Sequence, residues 1–229
     1  MKLPSPQIRG ISLRRLNRFA ALVLVDGGEV TAHVPNSGRL QELFVPGNTV
    51  FLIEAKEEHR KTAYDLSLVA IGKTLVSADA RIPNALVEEA FETGALGQFR
   101  DFSVLQREQR YGESRLDMVL SQGTHRCYIE IKSVTLVING LGIFPDAPTA
   151  RGRRHLATLM EAGREHHRAA IIFVIQRSDA QGFKPNDATD PAFGEALRRA
   201  HQAGVEVYAY RCRVSRREIK LAEPVPMHL

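Results

Sequence analysis

Apolar positions in the first third of the chain fall in short runs separated by turn residues. Residues 19–25 are almost all apolar. Asp26-Gly27-Gly28 then supplies the positive-φ positions of a tight hairpin, and residues 29–34 return as a second strand, ended by Pro35 and Asn36. Pro46-Gly47-Asn48 marks another turn, ahead of a strand over 49–54. Residues 62–71 alternate as a further strand, and 74–77 as one more. Strands this short and this closely spaced predict a small all-β barrel over residues 1–80. A five-stranded barrel of the oligonucleotide-binding (OB) type fits that length, although the pattern alone does not separate it from other small barrels.

Near residue 81 the periodicity changes. Arg81-Ile82-Pro83-Asn84 reads as a boundary, with Asn84 capping a helix that Gly94 ends. Strands are expected over 102–110, 116–120 and 126–136. Thr149 caps a helix reaching about residue 162, and the β-branched run 169–176 has the composition of a buried strand. Asp190-Pro191 opens a helix that Gly204 closes, followed by a strand over 205–214 and an edge at 218–221. Residues 81–229 are therefore expected to form an α/β domain, a mixed sheet with helices packed on it.

Composition narrows the setting. With 229 residues, 44% of them hydrophobic, the chain can build two cores without covalent staples. Cys127 and Cys212 sit singly in apolar runs and read as buried thiols, with neither a disulfide framework nor a zinc motif. The first residues lack an apolar stretch of signal-peptide length, and no run approaches a membrane span, so a cytoplasmic protein with no membrane partner is expected. A net charge of +5 permits an anionic partner and by itself identifies none.

The chemistry concentrates in the second domain. Asp117 lies in one predicted strand and Glu130-Ile131-Lys132 in the next. Strand side chains alternate, so Glu130 and Lys132 share a face while Ile129 and Ile131 point into apolar packing. Antiparallel pairing through Ser121-Gln122-Gly123-Thr124 brings Asp117 beside Glu130. Adjacent carboxylates repel, and a divalent cation such as Mg2+ or Mn2+ relieves that repulsion. Lys132 then stands ready for developing negative charge. The spacing resembles that of the PD-(D/E)xK nucleases, with Asp117, Glu130 and Lys132 as catalytic candidates and Glu108 as an additional metal ligand. A structural ion-pair cluster produces the same pattern.

Basic residues supply a second set. Arg14, Arg15 and Arg18 lie before or at the first predicted strand, Arg39 follows Gly38 in a loop, and Arg60 and Lys61 sit between strands. These are where such barrels meet nucleic acid, and the alternative is a solvated surface. Aromatic platforms are scarce, with no Trp, and Phe19 and Phe44 read as core. In the helix after Thr149, Leu156, Leu159 and Met160 form the apolar stripe. Arg151, Arg154 and His155 gather on another face as phosphate contacts, His155 reading equally as a surface histidine.

Several segments resemble the sugar fermentation stimulation protein family. They include Ala32-His33-Val34-Pro35-Asn36-Ser37-Gly38-Arg39-Leu40, Tyr111-Gly112-Glu113-Ser114-Arg115-Leu116-Asp117, Tyr128-Ile129-Glu130-Ile131-Lys132-Ser133-Val134, Phe144-Pro145-Asp146-Ala147 and Arg151-Gly152-Arg153-Arg154-His155-Leu156. The resemblance runs in order along nearly the whole chain. It implies an OB-like barrel, a restriction-endonuclease-like second domain, DNA binding and a link to the regulation of sugar utilisation. It does not imply cleavage. The expectation is a DNA-binding protein with a nuclease-like metal site, and the alternatives are an active Mg2+- or Mn2+-dependent nuclease or a sugar sensor. Many nuclease-like domains act as homodimers, and the oligomeric state is left open here.

Overall fold

A computed structural model of the chain describes residues 1–55, 60 and 62–229. Strands β1 (Ile8–Asn17), β2 (Ala20–Val25), β3 (Gly28–His33), β4 (Thr49–Glu54), β5 (Tyr64–Ile71) and β6 (Thr74–Ser77) pair in the order β3-β2-β1-β4-β5-β6. A further parallel pairing of β3 with β5, through Ala32↔Tyr64 and His33↔Asp65, closes β1–β5 into the OB-like barrel. Asp26 (φ 48°) and Gly27 (φ 82°) make the β2–β3 turn as expected from their residue types. Inward positions such as Val23, Val50, Leu52 and Leu66 fill the barrel core.

One strand was missed. β1 precedes the run read as the first strand, so Arg14 and Arg15 lie inside a strand. Its alternation is masked by three arginines and by register irregularities against β2.

The second unit is a six-stranded mixed sheet of β7 (Val104–Tyr111), β8 (Ser114–Gln122), β9 (His125–Val134), β12 (Arg168–Ile175), β14 (Glu206–Val214) and β15 (Ile219–Pro224), in the order β15-β14-β12-β9-β8-β7. Its centre, β9-β12-β14, is parallel. Burial of β12 on both faces accounts for its unbroken apolar sequence. A small second sheet of β10 (Val137–Ile138), β11 (Leu141–Phe144) and β13 (Gly182–Pro185) was not legible, its strands being only two to four residues long.

Helices α2 (Ala150–Arg164) and α3 (Pro191–Gln202) share a core cluster on one face with Ile171, Phe173 and Ile175. On the other face, α1 (Ile82–Glu92) shares a cluster with Ile129, Ile131 and Ile172 that also takes in Phe51 and Leu68 from the barrel. The two units are thus joined by common apolar packing. Thr149 and Asp190 cap α2 and α3 as expected, accepting from Gly152 N at 3.0 Å and Phe193 N at 3.0 Å. Asn84 is not a cap: α1 begins two residues earlier, and Asn84 lies in its first turn.

Candidate metal and nucleic-acid site

The β8–β9 ladder is registered as far as Met118↔Ile129. At the next position Asp117 spends its carboxylate on the neighbouring backbone: Ile131 N donates to Oδ2 at 2.8 Å. Asn84 Nδ2, reaching from α1, donates to Oδ1 at 3.0 Å. Even with these donors, burial and then the charge of Glu130 hold the Asp117 carboxyl above its ordinary value.

Glu130 is 2% exposed. Its Oε1 accepts from Lys132 Nζ at 2.5 Å and lies in contact with His155 Nδ1. Burial would raise its pKa, but the His155 contact and the Lys132 charge outweigh burial and hold it below the usual value. Its other oxygen, Oε2, is buried and has no hydrogen-bond partner among the described residues. A buried, unpartnered carboxylate oxygen is costly. Beside a second carboxylate, it is the donor chemistry that a hard divalent cation accepts, with water completing the shell. The residues present therefore fit a hard divalent cation.

His155 departs from expectation. It does lie against Arg151, whose Nε donates to His155 Nε2 at 3.3 Å, but it is buried beside Glu130 instead of standing on an outer face. The stripe reading missed it because position 155 lies beside Leu156 at the edge of the buried face. Arg151 and Arg154 are exposed at the opening of α2.

Glu108 stands apart. It falls between the registered pairs Arg107↔Met118 and Gln109↔Leu116, in the left-handed region (φ 50°), with its side chain exposed and paired to Arg115 at 3.4 Å. Among the described residues no group of three or more His, Cys, Asp or Glu side chains converges as a metal cage. Of the three carboxylates read from the sequence as metal ligands, Asp117 and Glu130 lie in the buried cluster and Glu108 lies in solvent.

A cleft of about 400 Å³ opens beside this cluster, between the two units. Lys132, Ser133 and Thr135 line one side, and Asn36, Ser37 and Gly38 of the barrel line the other. Contacts across the seam hold the loop in place. Asp146 Oδ2 accepts from Leu40 N at 3.1 Å, and Thr135 Oγ1 donates to Glu42 Oε1 at 2.9 Å. Gly38 is needed here, since a Cβ would lie 2.6 Å from Asp146 Oδ2. Burial, with Asp146 nearby, keeps the Glu42 carboxyl above its ordinary value. Glu42 did not stand out in sequence, and Asn84 stood out only as a helix cap, because each acquires its role here only when a distant segment arrives.

The barrel arginines divide into two kinds. Arg15 is half-buried 4.9 Å over the Phe44 ring and donates to the carbonyls of Asn17, Arg18, Asn36 and Arg39. It braces the loop and has its donors in use. Arg14, Arg18 and Arg39 are exposed, with no carboxylate at ion-pair distance among the described residues. Arg60 makes a two-pronged pair with Asp65, which also meets His33. Lys61 lies outside the described residues. Phe44 is buried as expected, but Phe19 is 49% exposed.

Comparison with known proteins accounts for both units. Residues 13–78 match the family described as the SfsA N-terminal OB domain, and residues 81–218 the sugar fermentation stimulation protein RE domain. A sugar fermentation stimulation protein homolog of Caldanaerobacter subterraneus subsp. tengcongensis is 44% identical over 229 residues, 100% of each chain. One of Moorella thermoacetica is 44% identical over 231 residues, again 100% of each. A solved structure of Pyrococcus furiosus SfsA in complex with Ca2+ superposes with a TM-score of 0.90 at 31% identity, covering 100% of both chains.

Proposed function

The chain belongs to the sugar fermentation stimulation protein family, and on that premise we propose that it is a DNA-binding protein whose Asp117–Glu130 pair holds a divalent cation for phosphodiester hydrolysis. The observation that carries this reading is the buried Glu130, with one oxygen on Lys132 and the other without a partner among the described residues, beside a second buried carboxylate. The relative solved with Ca2+ supports a metal of the hard, oxygen-preferring class. Bound here, Mg2+ or Mn2+ would polarise the phosphodiester and lower the pKa of a water. The chain's own residues do the rest. Asp117 and Glu130 would hold the ion, with Asn84 and Ile131 N fixing the orientation of Asp117 and His155 that of Glu130. Lys132, paired with Glu130 and lining the cleft, would face the negative charge that develops on the phosphate. Arg151 and Arg154, at the opening of α2, and the exposed barrel arginines take flanking phosphates.

A second reading, DNA binding in the regulation of sugar use without cleavage, is favoured by the absence of a third converging carboxylate among the described residues. A cleavage assay on single-stranded, duplex and branched DNA, with Mg2+ or Mn2+ and with Glu130→Ala protein alongside, separates the two. Metal-dependent cutting by the native protein alone establishes the nuclease. Intact DNA in both lanes, with a salt-sensitive mobility shift, establishes the binding module.

A further inference from the structure

The ring of Phe19 stands half out of the surface on a turn that is held at both ends. Its N–H donates to Asn17 Oδ1 at 2.9 Å, and its carbonyl accepts from Val34 N at 2.9 Å. The backbone carrying the ring is thus fixed, and Leu16 beside it is 41% exposed. An apolar ring held in water on a rigid turn earns no burial energy in the isolated chain, whereas it is ready to stack on a flat partner.

What lies next to it indicates the partner. The residues just before it in the chain, Leu16, Asn17 and Arg18, line a shallow hollow of about 700 Å³ together with Arg39. It shares Arg18, Ser37, Gly38, Ala147 and Pro148 with the cleft that Lys132 lines, so one channel leads from the turn to the Glu130–Lys132 pair. Arg18 and Arg39 are exposed along it, without carboxylates at ion-pair distance among the described residues. Arginines along the hollow, an exposed aromatic one residue beyond Arg18 and Lys132 with Asp146 at the inner end suit a sugar-phosphate backbone with bases free to stack. In a duplex each base face is covered by its neighbours, and a hollow of this volume suits nucleotide-sized groups.

We propose that this channel binds single-stranded DNA, with a base stacked on Phe19 and the strand leading inward between Arg18 and Arg39 to Lys132. The preferred substrate is then an unpaired strand or a duplex with an unpaired tail. This inference rests on the DNA-binding reading above and adds to it the form of the DNA and the residue that selects it.

The test is a fluorescence-anisotropy titration of full-length protein, in EDTA to prevent cutting, against a single strand, a blunt duplex and a tailed duplex. Native protein is expected to favour the single strand and the tail over the blunt duplex. Phe19→Ala should weaken those two by about tenfold and leave the duplex unchanged. Phe19→Trp, which keeps a stacking face, should restore them. A thermal melt confirms that the variants are folded. Equal affinity of native and Phe19→Ala protein for the single strand overturns the inference while leaving the DNA-binding reading intact. Failure to bind any of the three DNAs removes both. If Phe19→Ala instead changes the mass in light scattering and leaves DNA affinity untouched, the ring is covered by a second copy of the chain and the inference is wrong.

Discussion

The carboxylate cluster and the barrel face hold charge in opposite ways. At the cluster, Glu130, Lys132, Asp117 and His155 lie at a sheet interior, each in contact with another charged or polar group, with one carboxylate oxygen left over. On the barrel face, Arg14, Arg18 and Arg39 stand in solvent with no acidic partner among the described residues. Burying charge is expensive and persists only where neighbours compensate it. Exposed arginines cost the fold almost nothing. The cluster therefore carries a strong inference from geometry alone, whereas the arginines become informative only through the channel they border.

The largest effect should come at the cluster. Lys132→Ala removes the cation that faces the developing charge, and metal-dependent cleavage is expected to fall by about 10²–10³-fold. Single-turnover kinetics at saturating protein will show whether the loss is in the chemical step. If the rate stays within a few-fold of native, Lys132 is only a structural partner of Glu130.

Next is the support of α2, the helix that carries His155 and Arg151. Asp190 accepts from Thr149 N at 2.7 Å and Phe193 N at 3.0 Å and pairs with Arg153 Nη1 at 2.9 Å, so one carboxylate ties together the openings of α2 and α3. Asp190→Ala strips a helix cap and leaves buried donors unmet, a loss of about 2–3 kcal/mol in urea unfolding. Cleavage should fall as well, because Glu130 is oriented by His155 on that helix. A stable variant with full activity would separate the cluster from its scaffold.

The sequence carried the cluster further than the barrel face. Strand alternation put Glu130 and Lys132 on one side, and a tight turn at Gly123 (φ 59°) set Asp117 against them, both local properties of the chain. Asn84 was read as a cap because Asn near a helix start ordinarily is one; its partner, Asp117, lies 33 positions away. Glu42 meets Thr135 across 93 positions, and no local pattern encodes that. Phe19 was assigned to the core because it opens an apolar run, but Arg18 and Phe19 form the turn between β1 and β2, which leaves the ring half exposed. Glu108 occupied a plausible strand position, and its left-handed backbone, with Arg115 nearby, places its carboxylate in solvent.

Glu42 tests the seam between the two regions through pH. Its folded pKa is raised above the ordinary carboxylate value, chiefly by burial. On acidification the folded state takes up this proton before the unfolded state does, so the native protein sheds the penalty as pH falls towards the unfolded value. Glu42→Gln keeps an acceptor for Thr135 without the charge. It should melt higher than native protein at neutral pH, with the advantage shrinking as the medium is acidified. A constant difference across that window would mean the gain comes from packing.

The smallest effects belong to single exposed arginines. Replacing Arg18 or Arg39 with Ala removes one phosphate contact, so the slope of log affinity against log salt should fall by about one per residue, and the loss in affinity should be similar for every sequence tested. Arg15 is the control. Its guanidinium is occupied by four backbone carbonyls and the Phe44 ring, so Arg15→Ala should lower the melting temperature and leave the salt slope of the remaining folded protein unchanged. The two outcomes must differ if the barrel face is divided as its contacts indicate. Equal slopes for Arg15→Ala and Arg39→Ala would mean that the loop brace opens to take phosphate, and the contrast between a paired interior and a free surface would then fail at Arg15 first.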